Sequence, residues 1–148
     1  MKPTPLLTGW TCRHLGDTAP GKPVTLPHDA MLAEPRTALS AGGTNTGWYE
    51  GRRTLTVPEN ELADTHILEF EGVYHNAEVW LNGQKAAFRP YGYTNFYVDC
   101  APYLHAGENE LRVIARNADQ PNSRWYSGAG IYRPVQLWTA RGAHIALN

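Results

Sequence analysis

The chain has 148 residues, of which 42% are hydrophobic and 18% charged, and its formal net charge is −1. That is one domain's length, too apolar for disorder and long enough to bury a core. With 13 basic against 14 acidic residues and no basic stripe, it lacks the electrostatic footprint of a nucleic-acid partner, and no strongly charged substrate is demanded.

The opening segment, "MKPTPLLTGWTCRHLGD", has no apolar signal-peptide region and no small-residue cleavage site. No run approaches membrane-spanning length, so the expectation is a cytoplasmic protein without a membrane partner. Cys12 and Cys100 are the only cysteines and make no dense disulfide framework. They read as buried free thiols of a reducing compartment. Five Trp and eight Tyr stand against three Phe, a selection rich in rings with a polar handle. Such rings can stack on the apolar faces of sugars, although β-proteins favour aromatics in any case.

The hydrophobic period along the chain is two, which marks half-buried strands. Strands are expected near 10–15 and 22–26, separated by the loop "TAPGKP". Next comes "LPHD", Leu26 to Asp29, where a proline fixes the chain and His28 and Asp29 can cap backbone amides. It reads as a structural turn, with ligand contact as its second reading. The segment 32–47, "LAEPRTALSAGGTNTG", is a long Gly-rich loop whose composition does not decide its role.

A long strand is expected at 48–57, where Tyr49, Arg53, Leu55 and Val57 alternate with Trp48, Arg52, Thr54 and Thr56. "PENELADT" is the only helical candidate and is worth a single turn. Strands follow near 66–72 and 75–81, and Asn82-Gly83 is a type I′ hairpin signal leading into 85–88. Further strands are expected at 93–99, 109–117, 131–138 and 142–147, with Pro134 implying an edge position or a bulge. Many short strands with regular turns give an all-β class: a two-sheet sandwich or a barrel.

An active site is not legible. The six histidines have no zinc-ligand spacing, no G-x-S-x-G elbow or phosphate-binding loop is present, and no metal or cofactor is implied. Glu69 and Glu71 share a strand face, and an exposed strand face outweighs a catalytic pair as their reading. The remaining oddity is "SRWYSGAGIYRPVQLW", residues 123–138, which sets Arg124, Trp125 and Tyr126 beside a Gly-rich bend. A core needs no arginine there, and a turn needs no tryptophan. Gly128 and Gly130 are expected to permit a bend that no side chain could follow.

Six segments in series carry a resemblance: "LPHDA" (26–30), "GWYEGRRTLTV" (47–57), "LEFEGVYHNAEVWLNGQKAAF" (68–88), "GYTNFYVDCAPYL" (92–104), "GENELRVIARN" (107–117) and "RWYSGAGIYRPVQLW" (124–138). Together they resemble the N-terminal sugar-binding domain of glycoside hydrolase family 2, which includes β-galactosidases, β-glucuronidases and β-mannosidases. The resemblance implies a jelly-roll β-sandwich, galactose-binding-domain-like, covering 1–148 as a single unit. It also implies partners in the same parent chain: an immunoglobulin-like sandwich and a TIM barrel carrying two catalytic glutamates for retaining hydrolysis. On that reading the chain is a piece of a larger hydrolase and hydrolyses nothing by itself.

The resemblance further implies that the stretch through "RWYSGAGIYR" comes to the rim of the barrel's site and shapes the subsite for a β-linked, non-reducing sugar. Asp119 matches the place where β-galactosidase-like members offer a carboxylate to sugar hydroxyls, its plain alternative being a solvated loop aspartate. Asn45 lies near another substrate-contacting asparagine. Arg124 and Trp125 are candidates for sugar contact, with a structural or interdomain role ahead of it. A galactoside is preferred over a glucuronide because Asp119 would repel a carboxylate. Two rival readings stand beside this one. An autonomous carbohydrate-binding module predicts an exposed row of coplanar aromatics, drawn from Trp48, Trp80, Tyr91, Tyr93 and Trp125. A purely structural interdomain sandwich predicts a large exposed apolar patch and homo-oligomerisation through it.

Overall fold

The computed structural model describes residues 1–33, 47–117 and 128–147. Among the described residues, ten strands make two antiparallel sheets: β1 (Lys2–Pro5), β2 (Trp10–His14), β3 (Lys22–Val24), β4 (Trp48–Val57), β5 (Thr65–Phe70), β6 (Ala77–Leu81), β7 (Gln84–Arg89), β8 (Phe96–Asp99), β9 (Gly107–Arg116) and β10 (Val135–Ala140). The four-stranded sheet runs β1-β10-β5-β8, and the six-stranded sheet runs β3-β2-β4-β9-β6-β7. Two short 3₁₀ turns, Ala30–Ala33 and Glu59–Glu61, are the helical segments among the described residues, the second lying within "PENELADT".

Alternation decides which face each strand buries. Leu68, Phe70, Phe96, Val98 and Val135 come from the smaller sheet. Trp10, Leu55, Ala77, Val79, Leu81, Leu111, Val113 and Ala115 come from the larger one, and all belong to one buried cluster. Trp10 is 1% exposed and its indole N–H is satisfied by Leu6 O at 2.6 Å, so burying the ring leaves no orphan donor. Both cysteines are free, and burial pushes the Cys100 thiol up to about 12. The Asn82-Gly83 turn joins β6 to β7 with φ of 49° and 78°, as a type I′ turn demands.

Three expectations change. β1 has no counterpart in the sequence reading, because "KPTP" is exposed throughout and carries no alternating pattern. It forms by pairing with β10, and its two prolines blunt the sheet edge. The strand expected at 131–138 begins at Val135, and it is interior, between β1 and β5. An interior strand must donate on both sides, so Pro134 ends up ahead of the ladder rather than on an edge or in a bulge. No strand forms within 142–147, where Ile145 is 91% exposed and has no face to bury.

The outer face of the six-stranded sheet is organised by Glu50, whose side chain is fully buried. Arg52 and Arg112 are direct cross-strand partners, an arrangement that is repulsive alone. Glu50 offsets it by accepting from Arg13 at 2.5 Å, Arg52 at 3.0 Å and Arg112. Beside it, Glu78 accepts from Trp80 at 3.0 Å and pairs with Lys85 and Arg116, each at 3.3 Å. Glu69 on the smaller sheet is also buried, contrary to the exposed strand face expected of it. Trp138, Tyr97 and Asn95 all donate to its carboxylate, while Glu71 accepts separately from Gln136 at 3.0 Å.

Burial alone would raise the Glu50 carboxyl, but hydrogen bonds from Arg52, Arg13 and Arg112 outweigh it and hold the group at about 2. A carboxyl depressed in the folded state stabilises fully above its unfolded value near 4.5, and that stabilisation is lost as pH falls from there towards 2. Glu50→Gln is therefore expected to destabilise the domain by about 3 kcal/mol at neutral pH, leaving Arg13 and Arg112 without their carboxylate and Arg52 with Glu110 alone. Urea unfolding between pH 7 and about pH 2 should show the deficit shrinking across that acid window.

Candidate functional site

At one end of the sandwich, four chain stems meet. Segment 34–46 leaves after the 3₁₀ turn Ala30–Ala33 and returns at Gly47, while segment 118–127 leaves after Asn117 and returns at Gly128. Residues 34–46 and 118–127 lie outside the described residues, so Asn45, Asp119, Arg124 and Trp125, like most of the long loop at 32–47, have no described position. The frame from which they depart is well defined.

Asn117 is the hub of that frame. It follows the last residue of β9, is 4% exposed, and donates its backbone N–H to Gly47 O at 2.8 Å. Its side-chain amide donates to Gly128 O at 3.0 Å and reaches Met31 Sδ at 3.7 Å. The carboxamide thus touches the 3₁₀ turn and the return of the second segment, while the backbone of the same residue holds the return of the first. A buried amide with its donors engaged fixes the geometry, because breaking either bond would leave a polar group unsatisfied.

Asp29 of "LPHD" clamps the same stems from the other side. Its Oδ1 accepts from Met31 N at 3.0 Å, a local Asx-type bond, and from Ala129 N at 3.1 Å, a hundred positions away. The backbones lock in parallel with it: His28 N donates to Ile131 O at 3.0 Å and Ala30 N to Ala129 O at 2.9 Å. The capping role expected of "LPHD" is what the geometry delivers. Burial lowers the His28 imidazole below its ordinary value, with the neighbouring Asp29 opposing.

The Gly-rich bend has two separate reasons. Gly130 has φ of 96°, and its backbone exchanges two 3.0 Å bonds with Tyr74. Gly128 lies against the Asp29 carboxylate so closely that a Cβ would sit 2.3 Å from Oδ2. Between them Ala129 is fully buried in a small satellite core with Ala30 and Tyr49, against which Met31 and Cys12 pack.

The aromatics do not form a flat row among the described residues. Arg116 lies over Trp48 at 4.7 Å, Lys85 and Arg112 flank Trp80 at 5.3 and 5.9 Å, and Tyr91 meets Tyr93 edge-on at 66°. The pairing of Asn117 with Asp29 across these stems has no signature in the sequence. Asn117 directly follows a strand pattern and Asp29 follows a proline, and no local signal couples positions so far apart.

Residues 22–141 match the family described as "Glycosyl hydrolases family 2, sugar binding domain". The chain belongs to that family. It is 40% identical over 150 residues to the β-galactosidase BoGH2A of Bacteroides ovatus, covering 89% of this chain and 17% of that protein. It is 29% identical to a β-glucuronidase of Formosa agariphila over 115 residues, which is 69% of this chain and 12% of that protein. Among solved structures, a β-glycosidase from Bacteroides vulgatus superposes with a TM-score of 0.79 at 33% identity, over 94% of this chain and 20% of that one. A glycosyl hydrolase family 2 member from Bacteroides cellulosilyticus gives 0.81 at 29% identity, over 94% and 21%. The chain therefore spans about a fifth or less of the length of these relatives. The expected antiparallel sandwich and the resemblance to the family's sugar-binding domain both hold.

The clamp can be tested at its tightest point. Gly128→Ala is expected to cost about 2 kcal/mol or more, as a methyl group cannot coexist with Asp29 Oδ2. Asp29→Gly should also destabilise, but in its background the extra cost of Gly128→Ala should fall below about 1 kcal/mol. A double-mutant cycle by urea unfolding measures that coupling.

Proposed function

We propose that this chain is the sugar-binding accessory domain of a retaining β-glycosidase, acting as one unit over residues 1–148 and shaping the subsite for a non-reducing β-galactoside. The observation that carries the proposal is the shared corner. Two sequence segments holding Asn45 and Asp119, Arg124 and Trp125 spring from stems fastened together by Asn117 and Asp29, in a domain of a family defined by sugar binding. Asp119 accepts hydrogen bonds from vicinal sugar hydroxyls, and a carboxylate there is chemically suited to them. Asn45 adds an amide, and Arg124 and Trp125 form the wall of the subsite or its contact with the next domain.

Catalysis belongs to groups this chain does not supply. A retaining mechanism needs two carboxyl groups about 5–5.5 Å apart, one as acid/base and one as nucleophile. In the proposed parent these come from a barrel domain, with an immunoglobulin-like domain between. A galactoside fits better than a glucuronide because a carboxylate on the sugar would face the Asp119 charge.

The proposal predicts weak, selective recognition by the chain alone. In a heteronuclear NMR titration, galactose or lactose at tens of millimolar should shift the Asp119, Arg124 and Trp125 signals together with the Asn117 side-chain amide. Glucuronate should shift them less, and Asp119→Asn should remove the response to galactose. Equal or stronger shifts with glucuronate would overturn the galactoside assignment. Turnover of an aryl β-galactoside by this chain would overturn the accessory role.

A further inference from the structure

Arg53 is a charge without a counter-charge. It lies on the β4 face that also carries Tyr49, Leu55 and Val57, and it is half-buried. Its guanidinium has no hydrogen-bond or ion-pair partner among the described residues, and its Nε is enclosed and unpaired. Burial lowers its pKa with no opposing cause. An enclosed, unpaired N–H is costly, and such a group calls for an explanation.

The surroundings supply one. Arg53 lines an open groove of about 480 Å³ with Gly9, Thr11, Arg52, Thr54 and the β9 carboxylates Glu108 and Glu110. The groove exists because β2 pairs with β4 only over Tyr49–Arg52, leaving Arg53–Val57 without a neighbouring strand on that side among the described residues. The Gly9 turn passes so near that a Cβ there would lie 2.7 Å from Arg53 Nη1, which puts the guanidinium at the groove's edge. Arg52 also lines it with an enclosed, unpaired Nε, while its two Nη groups are taken by Glu110 at 2.8 Å and Glu50 at 3.0 Å. The groove's own charged lining is two guanidiniums, Arg52 and Arg53, and two carboxylates, Glu108 and Glu110, of which Glu110 pairs with Arg52 at 2.8 Å. Arg53 is the guanidinium of that lining with no ion pair among the described residues.

We propose that this groove is an oxyanion site, in which a carboxylate, sulfate or phosphate group docks on Arg53 beside Arg52. The fork of a guanidinium matches two oxygens of such a group, and the Thr11 and Thr54 hydroxyls are further donors within the same lining. The site is independent of the Asn117 corner: it is built from β2, β4 and β9 residues that take no part in the clamp. Two sources share this chemistry, a free inorganic oxyanion and the carboxylate of an acidic sugar.

The arginine Nε–H signals of the chain, titrated with sodium sulfate, sodium phosphate or sodium glucuronate against sodium chloride at constant ionic strength, test it. Saturable shifts of Arg53 and Arg52 with one of the three oxyanions, absent with chloride, are expected. Arg53→Gln should weaken that binding at least tenfold, and Arg53→Lys, which keeps the charge but loses the fork, should fall between. Saturation by sulfate or phosphate assigns a free ion, and saturation by glucuronate alone assigns an acidic sugar. Responses that match chloride, or binding undiminished in Arg53→Gln, would overturn the proposal. Sugar-induced shifts at Asp119 that survive Arg53→Gln would leave the galactoside subsite standing without it.

Discussion

A single asparagine decides how the functional end of this domain is held. Asn117 is buried where β9 ends, and it reaches the return of one long segment with its backbone and the return of another with its side chain. Loops placed on a β-sandwich are ordinarily held by their own strands, each a separate two-point attachment. Here the attachment is common, because Asp29 bonds Ala129 while Asn117 bonds Gly128, one residue apart. Whatever the two segments bind, they bind from a shared base.

That base depends on the sandwich being rigid where it is not functional. The six-stranded sheet carries arginines directly across from one another, and Glu50 makes that tolerable by gathering three of them. Glu69 does the same for the smaller sheet with neutral donors, drawing Trp138, Tyr97 and Asn95 onto one carboxylate. Both outer faces are thereby stitched across strands by buried carboxylates, and removing one of these costs far more than breaking an exposed ion pair because its donors are left uncompensated. Arg53, on the other face of β4, has no such carboxylate among the described residues, and the proposed oxyanion site rests on that difference.

Much of the sandwich was legible because its signals are local. Alternation in "AEVWLNG" and the positive-φ pair Asn82-Gly83 fix β6, the turn and β7 without reference to the rest of the chain. Where β1 and β10 depart from the sequence reading, the cause is a distant partner. β1 exists only because β10 offers it an edge, and β10 starts after Pro134 only because it has strands on both sides. Glu50 and Glu69 look like solvated strand charges until their partners on neighbouring strands are in place. The family resemblance rested on six segments in order, and that series survives. The corner was half legible: "LPHD" announces a cap, but nothing local in the sequence says that the amide it caps is Ala129. Asn45, Asp119, Arg124 and Trp125 lie outside the described residues, so their chemistry rests on the sequence and on the frame around them.

The most direct measurement is native-state hydrogen exchange on Asn117→Ala against the unaltered chain. The account predicts that the amides of Ala30 and Ala129, which belong to different stems, lose protection together, by tenfold or more beyond any change at the core amides of Leu68 and Val113. Loss at one stem alone, or protection unchanged at both, would contradict a shared base for the two segments.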